Sequence, residues 1–120
     1  MLPPAHRLRR SPDFRAAVRR GARAGSSTLV VHMLPASDDA GSIAVPTVGF
    51  VVSKQVGNAV ERNLVKRRLR GAFRSHLEEL PAGSTTVVRA LPASAGADYS
   101  TLEADLDRCL RRTRTRGGSR

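Results

Sequence analysis

Residues 57–74 read GNAVERNLVKRRLRGAFR, and this run restricts the possible folds more than any other. Asn58 followed three residues later by Glu61 has the form of a capping box, so a helix begins here. No proline interrupts the run from Ala59 to Arg74. At 100° per residue, Val65, Leu69, Ala72 and Phe73 share one side, and His76 and Leu80 extend that line if the helix runs so far. Lys66, Arg70 and Arg74 form an i, i+4, i+8 row, with Asn63 and Arg67 beside it. One face must be buried against another layer. The adjacent face repels itself, since like charges four apart cost about 0.2–0.5 kcal/mol per pair. Glu61 is the only acid in the run, so a polyanion is the natural missing partner.

The remainder of the chain supports that reading. It has 120 residues and a net charge of +11, enough for one domain with one core and strongly biased toward anionic partners. The charge is uneven. Residues 1–25 carry seven Arg and one Asp, and residues 54–76 carry seven Lys/Arg and one Glu. Residues 77–110 reverse the sign, with two Arg and six acids. The aromatics are Phe14, Phe50, Phe73 and Tyr99, so the core is mainly aliphatic. A single cysteine, Cys109, excludes an internal disulfide. No apolar run is long enough for a membrane span and no secretory leader pattern opens the chain, so the expected compartment is the cytoplasm.

Residues 1–10 read as an extended basic lead-in. Ser11 as cap and Pro12 at the first position open a short helix over residues 12–20, with Phe14, Ala17 and Val18 as its stripe and Arg15 and Arg19 pointing elsewhere. Residues 28–34 (TLVVHML), 47–53 (TVGFVVS) and 84–91 (STTVVRAL) read as strands; the first two are nearly continuous in apolar residues, so both their faces should be largely covered or functional. Residues 35–46 are a loop. Ser100 with Glu103 suggests a second capping box. It opens a helix with Leu102, Leu106, Cys109 and Leu110 on one stripe, ending near Arg112. The order is helix, two or more strands, basic helix, strand, helix, a small α+β sandwich over residues 1–112, with 113–120 a basic disordered tail.

No catalytic constellation emerges. His6, His32 and His76 stand in no metal-ligating spacing, and neither a Walker loop nor a GxSxG elbow is present. Cys109 falls on an apolar stripe and reads as core. His32, mid-strand, fits both a half-buried sheet residue and a base-stacking platform. Glu78 and Glu79 offer adjacent carboxylates to Mg²⁺ or simply solubilise a helix end. The pattern is that of a binder gripping phosphates, with weak reading of bases.

VGFVVSKQ followed by GNAVERNLVKRRLRGAF resembles the signature of the bacterial ribonuclease P protein subunit. RLRRSPDFRAAVRRG resembles that family's first helix, and VVRALPASAGADYSTLEADLDRCLRR its last strand and helix, in the same order. The resemblance implies a single-domain α-β-β-β-α-β-α sandwich with a four-stranded sheet and a left-handed crossover through the basic helix. The fourth strand then falls within residues 21–27 or arises by splitting another. It implies a protein that joins a catalytic RNA, which holds Mg²⁺ and hydrolyses precursor tRNA to leave the mature 5′ end. By position, Lys54, Asn58, Arg62, Asn63, Lys66, Arg67, Arg68, Arg70 and Arg74 face the catalytic RNA. Phe14, Val18, His32 and Phe50 fall in a cleft for the single-stranded 5′ leader. No residue of the protein is implied as catalytic or metal-binding, and neither DNA nor membrane is an expected partner.

Three departures stand out. Leu64 replaces the second arginine of an Arg-Asn-Arg signature, Gln55 replaces a second lysine, and Val18 and His32 stand where aromatics are frequent. With base stacking worth about 1–3 kcal/mol, a cleft without those rings grips its leader less tightly. Two further classes compete: a general basic RNA- or ribosome-binding protein, and a membrane-surface or transcription-factor module. No long amphipathic membrane helix with an aromatic face appears, and strands flank the basic helix where a helix-turn-helix needs a second helix.

Overall fold

The structure, a computed structural model, describes residues 11–34, 46–80 and 83–118. The expected lead-in at 1–10 and nearly all of the loop at 35–46 lie outside the described residues. In chain order the elements are α1 (Ser11–Arg20), β1 (Ala22–Gly25), β2 (Leu29–Leu34), β3 (Thr47–Val51), α2 (Ala59–Arg74), β4 (Thr85–Ala90) and α3 (Tyr99–Gly118). Short 3-10 turns at Leu77–Glu79 and Pro92–Gly96 follow α2 and β4. The fourth strand is β1, within residues 21–27 as the resemblance implied.

The sheet order is β1-β2-β4-β3. β1 pairs antiparallel with β2, and β2 with β4, whereas β3 and β4 run parallel. A parallel pair of neighbours cannot be joined by a hairpin, so the chain must leave the sheet and return, and α2 is that crossover. Side chains alternate along each strand, which sorts them onto two faces. Leu29, Val31, Met33, Val48, Phe50, Val88 and Ala90 face α2 and α3. There they meet Val65, Leu69, Ala72, Phe73, Leu102, Leu106, Cys109 and Leu110 in one core. Leu29, Leu69, Leu102, Leu106 and Phe73 are completely buried. Each such side chain contributes about 1.5–3 kcal/mol. Cys109 belongs to this core, and burial pushes its thiol pKa up.

Local rules set the helix ends. The expected capping box of α2 is present in both directions. Asn58 Oδ1 accepts the Glu61 N–H and Glu61 Oε1 accepts the Asn58 N–H, each at 2.9 Å. α2 stops at Arg74, yet His76 and Leu80 stay buried because the 3-10 turn carries them over the same core. α3 departs from expectation at both ends. Its cap is Asp98, whose Oδ1 accepts the Thr101 N–H at 2.9 Å, while the Ser100 hydroxyl donates to the same carboxylate. Asp98 stands one residue before the helix and so outcompetes Ser100, which already lies inside it. These hydrogen bonds, the Thr101 N–H first, hold the Asp98 carboxyl below its ordinary pKa. At its other end α3 continues to Gly118 instead of stopping near Arg112. Thr113 is buried and carries the stripe one step past Leu110, with no breaker until Gly117.

α1 covers the opposite face, on β2 and β4. Its Ala17 is fully buried, and by alternation Val30, His32 and Val87 lie beneath it. Gly21 makes the tight exit from α1 possible. Its N–H donates to Ala17 O at 2.9 Å, and a Cβ there would sit 2.5 Å from that oxygen and 2.9 Å from the Met33 carbonyl. The two faces are closed at one end by a buried carboxylate. Asp105 of α3 accepts from the Thr28 hydroxyl just before β2 and from Arg108.

His32 is only 2% exposed, so of its two sequence readings the structure places it in the sheet and not on an open platform. Burial first, then the charges of Arg89 and Arg23, lower its pKa below the ordinary 6.5. The neutral form therefore belongs to the folded state. Above about pH 6.5 both states are neutral at this residue. As pH falls, the unfolded chain takes up the proton first, and stability declines until the folded-state pKa is reached. We expect the unfolding midpoint to drop between pH 7 and pH 5, and His32→Leu to remove that part of the slope. Identical pH profiles for the two proteins in urea titrations would show that His32 ionises equally in both states.

Candidate nucleic-acid interface

The outward side of α2 is a continuous cationic surface. Asn63, Lys66, Arg67, Arg70 and Gly71 line a pocket of about 530 Å³. Arg74 is exposed in the last turn, one turn beyond Arg70, and Lys54 is exposed in the turn between β3 and α2. Arg62 is half-buried one turn before Lys66. Among the described residues, none of Lys54, Lys66, Arg67, Arg70 and Arg74 has a carboxylate partner. On α3 the carboxylates pair within the helix, Asp105 with Arg108 and Asp107 with Arg111. A pocket with guanidinium and ammonium groups on its walls and no internal counter-charge is built for phosphate.

Two residues of the expected RNA-binding set make bonds within the fold. Asn58 spends its side-chain oxygen on the cap of α2. Arg68 lies on the other flank of the helix, where its Nη1 donates to Ala97 O at 2.8 Å and ties α2 to the start of α3. A basic signature cannot distinguish an arginine aimed at solvent from one aimed at a carbonyl. The helical wheel can, because Arg68 falls well away from the Lys66–Arg70 row.

A second concave site lies between α1 and the sheet. Arg15, Val18, Arg19, Val51 and Arg89 line a cleft of about 420 Å³. Of the three expected leader-cleft residues whose side chains are described, Val18 stands on its wall and His32 and Phe50 do not. Val18 is 38% exposed, and His32 lies buried in the sheet layer beneath α1. Phe14 is on α1, and its side chain lies outside the described residues. Phe50 corrects the expectation: it belongs to the other face and packs edge-on against Phe73 with ring centroids 5.9 Å apart. The reason is strand alternation. Val51 pairs with Arg89 on the cleft side, which sends the preceding Phe50 into the main core.

The arginines of this cleft were missed by sequence reasoning. Arg15 and Arg19 were expected to point elsewhere, yet they flank Val18 at the rim. Arg89 interrupts an apolar strand, and a charge at such a position marks where one face of a sheet opens to solvent. That signal was legible. Together the cleft offers apolar walls for sugar or base and three cations for phosphate, without an exposed ring among the described residues.

Comparison with known proteins places this geometry. The family described as Ribonuclease P matches residues 2–114. A ribonuclease P protein component from Nocardioides sp. is 55% identical over 112 residues, covering 93% of this chain and 94% of that protein. Among solved structures, the Staphylococcus aureus RNase P protein superposes with a TM-score of 0.76 at 25% identity, covering 88% of this chain and 93% of that one. A mutant of the Staphylococcus aureus protein, described as having defective mRNA degradation activity, gives 0.77 at 27% identity over 89% and 86%. The chain belongs to the ribonuclease P protein family, as the protein component that joins an RNA partner.

Proposed function

We propose that this subunit grips two RNA segments from opposite sides of one sheet. The catalytic RNA of ribonuclease P docks on α2, through Lys54, Arg62, Asn63, Lys66, Arg67, Arg70 and Arg74, with Asn58 and Arg68 holding the helix in place. The single-stranded 5′ leader of precursor tRNA lies in the α1 cleft against Val18, Val51 and the guanidinium groups of Arg15, Arg19 and Arg89. The observation that carries this reading is the pair of cationic concavities, one on each side of the sheet. A protein so arranged holds the leader at a fixed place relative to the RNA that cuts it. The cut is a hydrolysis that removes the leader and leaves the mature tRNA 5′ end, and its chemistry belongs to the RNA. On this reading Mg²⁺ rests mainly on RNA and substrate. The proposed compartment is the cytoplasm. Among the described residues no helix is long and apolar enough to cross a membrane.

A second reading has the protein itself acting on mRNA, and the activity attributed to the Staphylococcus aureus protein favours it. Protein stripped of RNA separates the two. On the first reading it leaves both precursor tRNA and mRNA intact, and gains 5′ maturation at low Mg²⁺ only with the ribonuclease P RNA. RNA-free cleavage of mRNA would support the second.

The two surfaces are tested separately. Lys66→Ala and Arg70→Ala should weaken assembly with the ribonuclease P RNA and lower the salt slope by about one per residue, with little change in unfolding midpoint. A large stability loss with intact assembly would make these residues structural. In the assembled particle, Arg89→Ala should reduce affinity for leader-bearing precursor severalfold, with a slope smaller by about 0.7, and leave mature tRNA binding unchanged. Equal affinity for substrates with and without a leader would remove the cleft from the function.

A further inference from the structure

Four large apolar side chains among the described residues are conspicuously exposed: Val18, Val60, Leu64 and Tyr99. Val18 belongs to the α1 cleft. The other three lie along one flank of α2, spread over about 16 Å of helical rise between Val60 and Gly71. Val60 and Leu64 stand one turn apart on α2, 77% and 37% exposed, on the flank next to Asn63 and Arg67. Gly71 continues that flank two turns further on. Tyr99, 42% exposed at the first position of α3, lies against it. A Cβ built on Gly71 would be 3.5 Å from Tyr99 Cε2 and 3.6 Å from its hydroxyl oxygen. Gly71 also lines the cationic pocket, so the tyrosine ring packs against a residue of its wall without itself lining it. The Arg68 bond to Ala97 O fixes the segment that carries the ring.

Single exposed apolar residues need no explanation. Here three of the four lie along one edge of a site whose Lys66, Arg67 and Arg70 lack carboxylate partners among the described residues. Apolar surface and a π-face beside unneutralised cations match the two halves of a nucleotide, the base and the phosphate. The pocket volume lies within the range of sites that enclose a small ligand.

We propose that the Leu64–Tyr99 strip is a subsite for an unpaired nucleotide of the RNA docked on α2. The base stacks on Tyr99 and lies along Leu64, while Lys66, Arg67 and Arg70 hold its phosphates. This rests on the reading of α2 as the RNA-docking face and adds to it a base-stacking contact, insensitive to sequence and requiring a nucleotide free of its duplex.

The experiment measures affinity of the full chain for the ribonuclease P RNA as a function of salt, with a blunt RNA duplex as control. Tyr99→Phe should bind as the parent does. Tyr99→Leu, which still fills the space against Gly71, and Tyr99→Ala should each lose about tenfold at every salt concentration, with the log–log slope unchanged. Leu64→Ser should lose a smaller factor in the same way. On the duplex all four should match the parent. Full affinity in Tyr99→Leu and Tyr99→Ala, with Lys66→Ala still weakened, would overturn the stacking subsite and leave the docking face intact. If Lys66→Ala also bound normally, the docking face itself would fall. Loss of equal size on the duplex would overturn the requirement for an unpaired base. A dimer in sedimentation that Leu64→Ser or Tyr99→Leu dissolves would assign the strip to a second copy of the chain instead.

Discussion

The rest of the molecule depends on one condition: β2 is buried on both faces, and β4 is buried on both faces around Val87 and Val88. A sheet of this kind cannot leave either side to water, so helices must cover both. The parallel pairing of β3 with β4 then requires a crossover, and the crossover helix is the basic one. α1 takes the remaining face. Two concave surfaces result, one on the outer side of α2 and one beside α1, held apart by the thickness of the sheet.

The charge distribution is an arrangement for binding more than for stability. α2 keeps its cations together and unneutralised, and its order comes from elsewhere: the reciprocal Asn58–Glu61 cap, the buried Val65–Leu69–Ala72–Phe73 stripe and the Arg68 tether. The acids are spent on α3, where Asp105 anchors Thr28 and Arg108 and Asp107 pairs with Arg111. Self-repulsion along α2 is a modest cost in the free protein. A polyanion bound on this face would relieve it, adding to affinity the repulsion the fold tolerates in isolation.

Periodicity made most of the fold legible in the sequence. The 3.6-residue stripe of residues 57–74 located the core face of α2 and its cationic row, and Asn58 with Glu61 marked the start. Strands emerged from β-rich apolar runs between turn residues. Other features escaped, each for a physical reason. β1 is four residues of Ala, Arg and Gly, with no apolar run to betray it, and it exists because its backbone pairs with β2. The cap of α3 went to Ser100 because the Ser–Glu spacing fits a box, whereas Asp98 is the residue placed to accept the Thr101 N–H. In the candidate site, Asn63, Lys66, Arg67 and Arg70 gather as the wheel foretold. In the α1 cleft, Phe50 faces the other way, because resemblance transfers residue identity but not facing. Phe50 and Val51 are neighbours in the chain and occupy opposite sides of the sheet.

That last pair has an evolutionary consequence. In β4 the residue after Arg89 is Ala90, and the two point in opposite directions, one to the cleft and one to the core. Facing is thus stored as odd or even position along the strand. A single-codon insertion or deletion within β4 would exchange them, burying a guanidinium and exposing a methyl, while shifting Val87 and Val88 likewise. Length change is therefore tolerated better between strands than within β4. Drift inside β4 must proceed by substitution alone, and the cleft's charge can be gained or lost at one position without disturbing the core behind it.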